Sequence, residues 1–396
     1  TASTRGQTAH HLLVIDETQN QPGPHIEAVF TPMRAANNAT ALYIGTVKLT
    51  SDYLWQKKGE LEADQRRDGT QRVFLVHPEQ VTAENPPYAA FLDTQVRKYG
   101  RHHPIVASEY FLEPVDAAGG LFPPRRRALM HGDHTRQLQP RPAELYVATL
   151  DLAGEDEAAT DPIARLAHPG RDYTVATIFR VHFPDPDPDP QRGHPELAEG
   201  PGLLPHYHAL DVFVDHGSKH FQDHPGQPAL VHRLAAWLQH WQIAHLISDE
   251  SGVGLGVTYW LASTLGALRV TGFNFAGKKA HLGAAFLSLI ETGRFHYWTG
   301  DQGHPLSDGW WFWQQAAACS YHVPPDGQFD RDLRWEVPPT HKTDTPTGRQ
   351  PTHDDRLLSA ALIAELDHLY RQGEILIGTA RSAVVQAVDP LEGLEF

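Results

Sequence analysis

Residues 145–151, Leu-Tyr-Val-Ala-Thr-Leu-Asp, form an apolar run that stops on a carboxylate. Such a run reads as a buried strand with an acid at its C-terminal end. Residues 173–182, Tyr-Thr-Val-Ala-Thr-Ile-Phe-Arg-Val-His, are rich in β-branched and aromatic residues and read as its hairpin partner. A third strand is predicted over 206–214. The pattern then changes: a helix over 229–241, a strand over 243–248 running into Asp249, a helix over 253–266 and a strand over 268–273. An amphipathic helix over 278–292, a Trp-rich segment (Trp310, Trp311, Trp313) and a last helix from Asp354 follow. Three antiparallel strands followed by alternating helix and strand is the order of an RNase H-like fold.

The acids in this pattern carry the chemistry. Asp151 and Asp249 each end a strand, and strands that are neighbours would set them side by side. Asp249 opens Asp-Glu-Ser-Gly-Val-Gly, a tight turn into a helix. Asp354 or Asp355, at the start of the last helix, can complete the cluster. Carboxylates delivered from separate elements to one spot are what a two-metal phosphodiester-cleaving site requires. Hard oxygen ligands suit Mg2+ or Mn2+. Each acid alone is also what a strand end or a helix N-cap carries; the order of all three makes the case.

Upstream, His-His-Leu-Leu-Val-Ile-Asp16-Glu17 is an apolar run ending in two acids and reads as a buried parallel strand. Helical stretches at about 24–36 and 51–65 alternate with apolar runs at 41–46 and 71–77, which implies βαβ units and a parallel sheet. Residues 12–17 have the form of a Walker B strand, whose Asp helps hold Mg2+ and whose next acid orients a water. No Gly-x-x-x-x-Gly-Lys-Ser/Thr occurs anywhere in the chain. Residues 114–143, rich in Pro, Gly and Arg and including Arg125-Arg-Arg127, read as a linker. The Pro-Asp run 184–190 reads as an exposed extended loop.

The 396 residues suffice for two or three domains. No apolar run reaches membrane-spanning length and no signal peptide is expected. The single Cys319 excludes an internal disulfide framework and a Cys-cluster metal site. The formal charge of -15 argues against a passive nucleic-acid coat. It leaves a nuclease open, whose carboxylate site is itself acidic. The 26 histidines lack the spacing of a zinc module and read mostly as surface composition.

Taken in order, these segments resemble the large subunit of the viral terminase, the DNA-packaging motor of tailed phages. Residues 13–19 resemble the family's Walker B segment, and Tyr43-Ile-Gly-Thr46 its coupling motif. Residues 108–122 resemble the passage out of the ATPase domain. Thr149-Leu-Asp151, Asp249-Glu-Ser-Gly-Val-Gly254 and His353-Asp-Asp355 resemble its three nuclease motifs. Residues 271–275 through 290–295 are also similar.

The resemblance implies an α/β chain in three parts. Residues 1–113 would be the C-terminal half of a P-loop NTPase-like parallel sheet, truncated and without Walker A. Residues 114–143 would be a linker, and 144–396 an RNase H-like mixed sheet flanked by helices. It implies a metal-dependent endodeoxyribonuclease that cuts concatemeric DNA, with catalytic acids at Asp151, Asp249 and one of Asp354 and Asp355, Asp355 favoured. Two Mg2+ or Mn2+ ions are implied there, and a nucleotide role for Asp16, Glu17 and Thr46 only if an upstream phosphate-binding loop supplies ATP binding. Double-stranded DNA, a portal protein and a small terminase subunit are the implied partners, in the cytoplasm of the host cell. His353 is either an assisting residue or a helix cap. Glu155, Asp156 and Asp172 are candidates for supporting roles, and Lys278 and Lys279 for DNA phosphate contacts. The chain begins where the family is halfway through its ATPase domain, which implies a fragment of a longer or split gene, or a degraded prophage copy. The alternatives are a catalytically inactive prophage remnant that acts in assembly, and a resolvase or transposase of the same fold.

Overall fold

A computed structural model describes residues 7–153, 173–184, 204–224, 226–324, 327–375 and 377. Glu155, Asp156, Asp172 and residues 185–190 of the Pro-Asp run lie outside them. The strands, in chain order, are β1 (Leu12–Ile15), β2 (Thr40–Tyr43), β3 (Ala118–Gly120), β4 (His131–Thr135), β5 (Leu145–Asp151), β6 (Thr174–His182) and β7 (His206–Asp215). They continue with β8 (Leu246–Asp249), β9 (Val270–Phe273), β10 (Phe295–Thr299), β11 (Ser320–His322), β12 (Arg334–Glu336), β13 (Lys342–Thr345) and β14 (Gly348–Pro351). No helix among the described residues is long and apolar enough to cross a membrane.

Two compact units form, and neither is continuous in sequence. The first comprises Thr1–Leu129, Gly277–Gly293 and Ala316–Pro338; the second comprises Met130–Ala276, Arg294–Gln315 and Pro339–Phe396. The expected boundaries at 113 and 144 differ from these. Residues 114–143 are not a featureless linker: β3, the helix Pro124–Met130 and β4 lie within them. Arg126 bonds Glu291 at 2.8 Å and Arg127 donates to the Phe122 carbonyl at 2.8 Å, so those two arginines brace the first unit.

In the first unit, β1 and β2 pair in parallel, as the alternation of strand and helix implies. The strand expected at 71–77 does not form. Phe74 is 72% exposed there, and strand propensity without a partner to pack on does not make a strand. Nor is β1 buried on both faces, since Leu12 is 53% exposed. The helix Lys279–Glu291 forms where expected but is buried almost all round, so it is a core helix rather than an amphipathic one. Close approach to it requires Gly283: a Cβ there would sit 2.5 Å from the Trp335 ring nitrogen, which donates to the Lys279 carbonyl at 2.7 Å. Lys279 itself lies over the Trp335 ring.

His103 ties this helix to the one starting at Pro104. One ring nitrogen bonds the Ala284 carbonyl at 3.0 Å and the other accepts from the Ile105 N–H. Burial holds the imidazole down at about 4, against 6.5 when solvated. Keeping it neutral therefore stabilises the fold fully above pH 6.5, and that contribution is lost as pH falls toward 4. Chemical unfolding at several pH values should show this acid loss, and His103→Gln should flatten it.

The second unit is built on a seven-stranded mixed sheet in the order β4-β10-β7-β6-β5-β8-β9. β6 is antiparallel to both β5 and β7, while β5, β8 and β9 run parallel. These five strands, β7-β6-β5-β8-β9, have the RNase H-like arrangement that the sequence order implied. β10 and β4 extend the β7 edge, in parallel, and neither was anticipated. One face is apolar: Tyr146, Ala148, Leu150, Ala176, Ile178 and Leu246 pack with the helices Leu230–His240 and Gly254–Leu265. The opposite face carries the helix Asp355–Ala361, fastened by the 2.8 Å bond between Thr177 and Ser359.

Candidate metal centre

Period-two alternation decides where the acids point. On β5, Tyr146, Ala148 and Leu150 face the apolar core, so Thr149 and Asp151 face the other way. The parallel register with β8 runs Ala148–Leu246, Thr149–Ile247, Leu150–Ser248; one step further sets Asp151 beside Asp249. Ser248 points to the core side, where it bonds Thr258 at 2.7 Å, so Asp249 shares the face of Asp151. Adjacent strands lie about 4.8 Å apart, which makes the two carboxylates close neighbours.

The third acid comes from the helix on that face. Asp151 pairs across the hairpin with Val175, and Thr149 with Thr177. Ser359 sits on Thr177, and Asp355 is one helical turn earlier, on the same side of the helix. Its charge reaches Tyr173, whose hydroxyl is pushed up by burial first and by Asp355 as well. Asp355 thus lies at the β6 end that adjoins Asp151. Asp151, Asp249 and Asp355 are 8%, 4% and 3% exposed, whereas Asp354 is half-buried. Burial favours Asp355 over Asp354 as the inward acid.

Asp249 is held by backbone amides on both strands' ends. Its carboxylate accepts from the Ser251 N–H at 2.8 Å and from the Leu152 N–H, which locks the ends of β5 and β8 together. Burial nevertheless pushes its carboxyl above the usual range, opposed by these hydrogen bonds and assisted by Glu250. Three buried carboxylates gathered at one sheet end fit divalent cations, which would offset both desolvation and mutual repulsion. They do not form a group whose ligand atoms all lie within 4.8 Å, as Asp133, His134 and His208 do. A pair of ions about 3.5–4 Å apart spans more than one such sphere.

The turn after Asp249 depends on Gly254. A Cβ there would sit 2.4 Å from the Asp249 carbonyl oxygen, a backbone atom with no room to give. A Cβ on Gly272 would meet only the flexible tip of Glu250. Gly254→Ala should therefore cost about 1–3 kcal/mol in urea unfolding and weaken divalent-ion binding, with Gly272→Ala much the milder.

Sequence reasoning missed the supports around these acids. Arg356 bonds Asp308 at 2.8 Å and lies over the Tyr173 ring; Asp308 also holds Arg136, which holds Asp211. Nothing local in the sequence links positions 136, 211, 308 and 356. His353 meets Tyr173 edge to face and shares a small cleft with Trp311, Gln315 and Arg356. Asp215 ends β7 at the same end of the sheet, but Ser218 and Arg233 occupy its carboxylate at 2.8 and 2.7 Å.

The Walker B-like acids lie in the other unit. Asp16 and Glu17 follow β1 and are exposed, and Thr46, after β2, is half-buried. Glu17 takes a left-handed backbone (φ 50) and accepts from Gln19 and Asn20.

Several solved structures of phage large terminases align with this chain. The large terminase of a thermophilic bacteriophage aligns over 92% of this chain and 70% of its own, at 10% identity and a TM-score of 0.43. The large terminase nuclease of thermophilic phage G20c, with bound magnesium, aligns over 62% of this chain and 96% of its own, at 15% identity and a TM-score of 0.38. The large terminase of bacteriophage HK97 aligns over 92% and 72%, at 12% identity and a TM-score of 0.35. No family model matches the sequence, and no curated protein does.

Proposed function

We propose that this chain is the nuclease-bearing part of a large terminase subunit, a divalent-metal-dependent endonuclease that cuts double-stranded, concatemeric viral DNA during packaging. The observation that carries the reading is the register of β5 and β8, which sets Asp151 beside Asp249 at one sheet end under the helix that begins at Asp355. These three would hold two Mg2+ or Mn2+ ions. Such ions, when bound, supply Lewis-acid activation of water and charge stabilisation at the scissile phosphate.

The chain's own residues do the positioning. The Ser251 and Leu152 amides aim the Asp249 carboxylate, and the Arg356–Asp308–Arg136 chain fixes the start of the helix that carries Asp355. A portal protein and a small terminase subunit are the partners this role needs. Asp16, Glu17 and Thr46 would serve a nucleotide only with a phosphate-binding loop, which these 396 residues lack, so ATP hydrolysis by this chain alone is not expected.

Supercoiled plasmid incubated with the protein tests the reading. Nicked and linear forms should appear with Mn2+ or Mg2+ and none with EDTA. Equal cleavage in EDTA, or no cleavage with any divalent ion, overturns it.

A further inference from the structure

Histidines gather at the opposite end of the same sheet. His182 pairs with His206 across β6 and β7, and His208 pairs with His296 across β7 and β10. His134 comes from β4. Asp151 pairs with Val175 at the start of β6, whereas these residues lie at its far end, seven positions from Asp215 along β7. At about 3.3 Å per residue that is roughly 20 Å away. This cluster is separate from the three carboxylates.

Its geometry is that of a ligand set. Potential ligand atoms of Asp133, His134 and His208 all lie within 4.8 Å of one another. The His134 and His208 rings are 5.2 Å apart, and the His296 ring stacks on His208 at 5.1 Å. His134 bonds the Ala209 carbonyl through Nε2 at 2.8 Å, which puts the ring proton on Nε2 and leaves Nδ1 with its lone pair. One nitrogen donating to a backbone carbonyl while the other keeps its lone pair is how metal-binding imidazoles are held. The Nδ1 atoms of His134, His208 and His296 are all buried without a hydrogen-bond partner among the described residues. Buried polar atoms in native structures are otherwise almost always satisfied.

The backbone is shaped for the first of these rings. A Cβ on Gly132 would sit 2.4 Å from His134 Nδ1, so only glycine lets the imidazole fold back where it does. Arg180 opposes a dication here, but its guanidinium is turned onto Glu144 at 3.3 Å. Asp133, 4.0 Å from His134 Nδ1, supplies the balancing negative charge.

We propose that His134, His208 and Asp133, with His296 within reach, form a second metal site that takes a borderline transition-metal dication of the Zn2+ class. Two imidazoles and a carboxylate suit Zn2+ rather than Mg2+, which prefers an all-oxygen octahedron. Three protein ligands leave a fourth position open to water or substrate. The ion would tie the edge strand β4 to β7 across the intervening β10. The ligands come from strands that are remote in sequence, which is why no spacing motif announces them.

Calorimetric titration of the full chain with zinc chloride in excess Mg2+ tests the site. One Zn2+ per chain should bind, equally well in Asp151→Asn/Asp249→Asn, and at least about tenfold more weakly in His134→Gln/His208→Gln. Unchanged binding in the histidine variant, or no binding by the wild type, overturns the proposal. Anomalous scattering at the zinc edge from wild-type crystals is independent of any variant's folding. A peak between His134 and His208 supports the site, and zinc found only elsewhere overturns it.

Discussion

Asp151→Asn and Asp249→Asn, singly, are each expected to lower divalent-ion-dependent plasmid cleavage by about a thousandfold. Each removes a negative charge from the pair that the β5–β8 register sets side by side. Losing several kcal/mol of metal-mediated charge stabilisation corresponds to that factor, at about 1.36 kcal/mol per decade. Asn keeps the shape and leaves the backbone ladder between β5 and β8 untouched, so the strand ends should stay in place. Stability should move the other way. Burial already pushes the Asp249 carboxyl up, which means the folded chain bears an unfavourable charge there. Asp249→Asn should therefore raise the metal-free melting temperature while activity collapses, the usual trade at a site kept for function. A variant that loses activity and stability together would indicate a structural acid. Asp355→Asn should behave like the other two, and Asp354→Asn should retain most activity.

The largest stability loss is expected at Asp367. Its carboxylate takes a forked pair from Arg294 at 2.6 and 3.0 Å and a bond from the Tyr207 hydroxyl at 3.1 Å, with all three side chains buried. The group joins the helix Ile363–Gln372 to β7 and to the residue before β10. Asp367→Ala strands a buried guanidinium and should cost about 3–5 kcal/mol in urea unfolding. Arg294→Met with Asp367→Leu removes both charges and should cost far less, because a buried pair gains little net energy over an apolar isostere. If the double variant is as unstable as Asp367→Ala, specific packing rather than charge pairing holds this helix.

The second unit was legible where strand and helix periods were strong. β5 to β9 and the helices between them fall within a few residues of expectation, because each has a continuous apolar run with a clear end. Residues 71–77 misled for the opposite reason: the run is strand-like, but no neighbouring strand covers it. β10 escaped notice because Phe295-His-Tyr-Trp-Thr299 alternates poorly and gains its place from β7 and β4. The acids at 151, 249 and 355 could be picked out, since strand ends and helix starts are visible locally. The convergence of Asp133, His134, His208 and His296 could not, because it depends on the pairing of three strands drawn from distant parts of the chain.

The discontinuity of the two units governs how the chain can fold as it is made. Domains usually finish in order, the N-terminal one first, as synthesis proceeds at about 5–20 residues per second. Here the first unit lacks its central helix until Gly277–Gly293 emerges, and lacks β11 and β12 until Ala316–Pro338 does. The second unit waits for Asp355–Ala361 and Ile363–Gln372. Both units therefore close late and nearly together. Residues such as Val106 and Phe122, buried in the finished protein, stay exposed on the ribosome while more than a hundred further residues are added. Expression at low temperature or with a holding chaperone should raise the yield of folded protein for this reason, and a fragment cut at residue 144 should gain least.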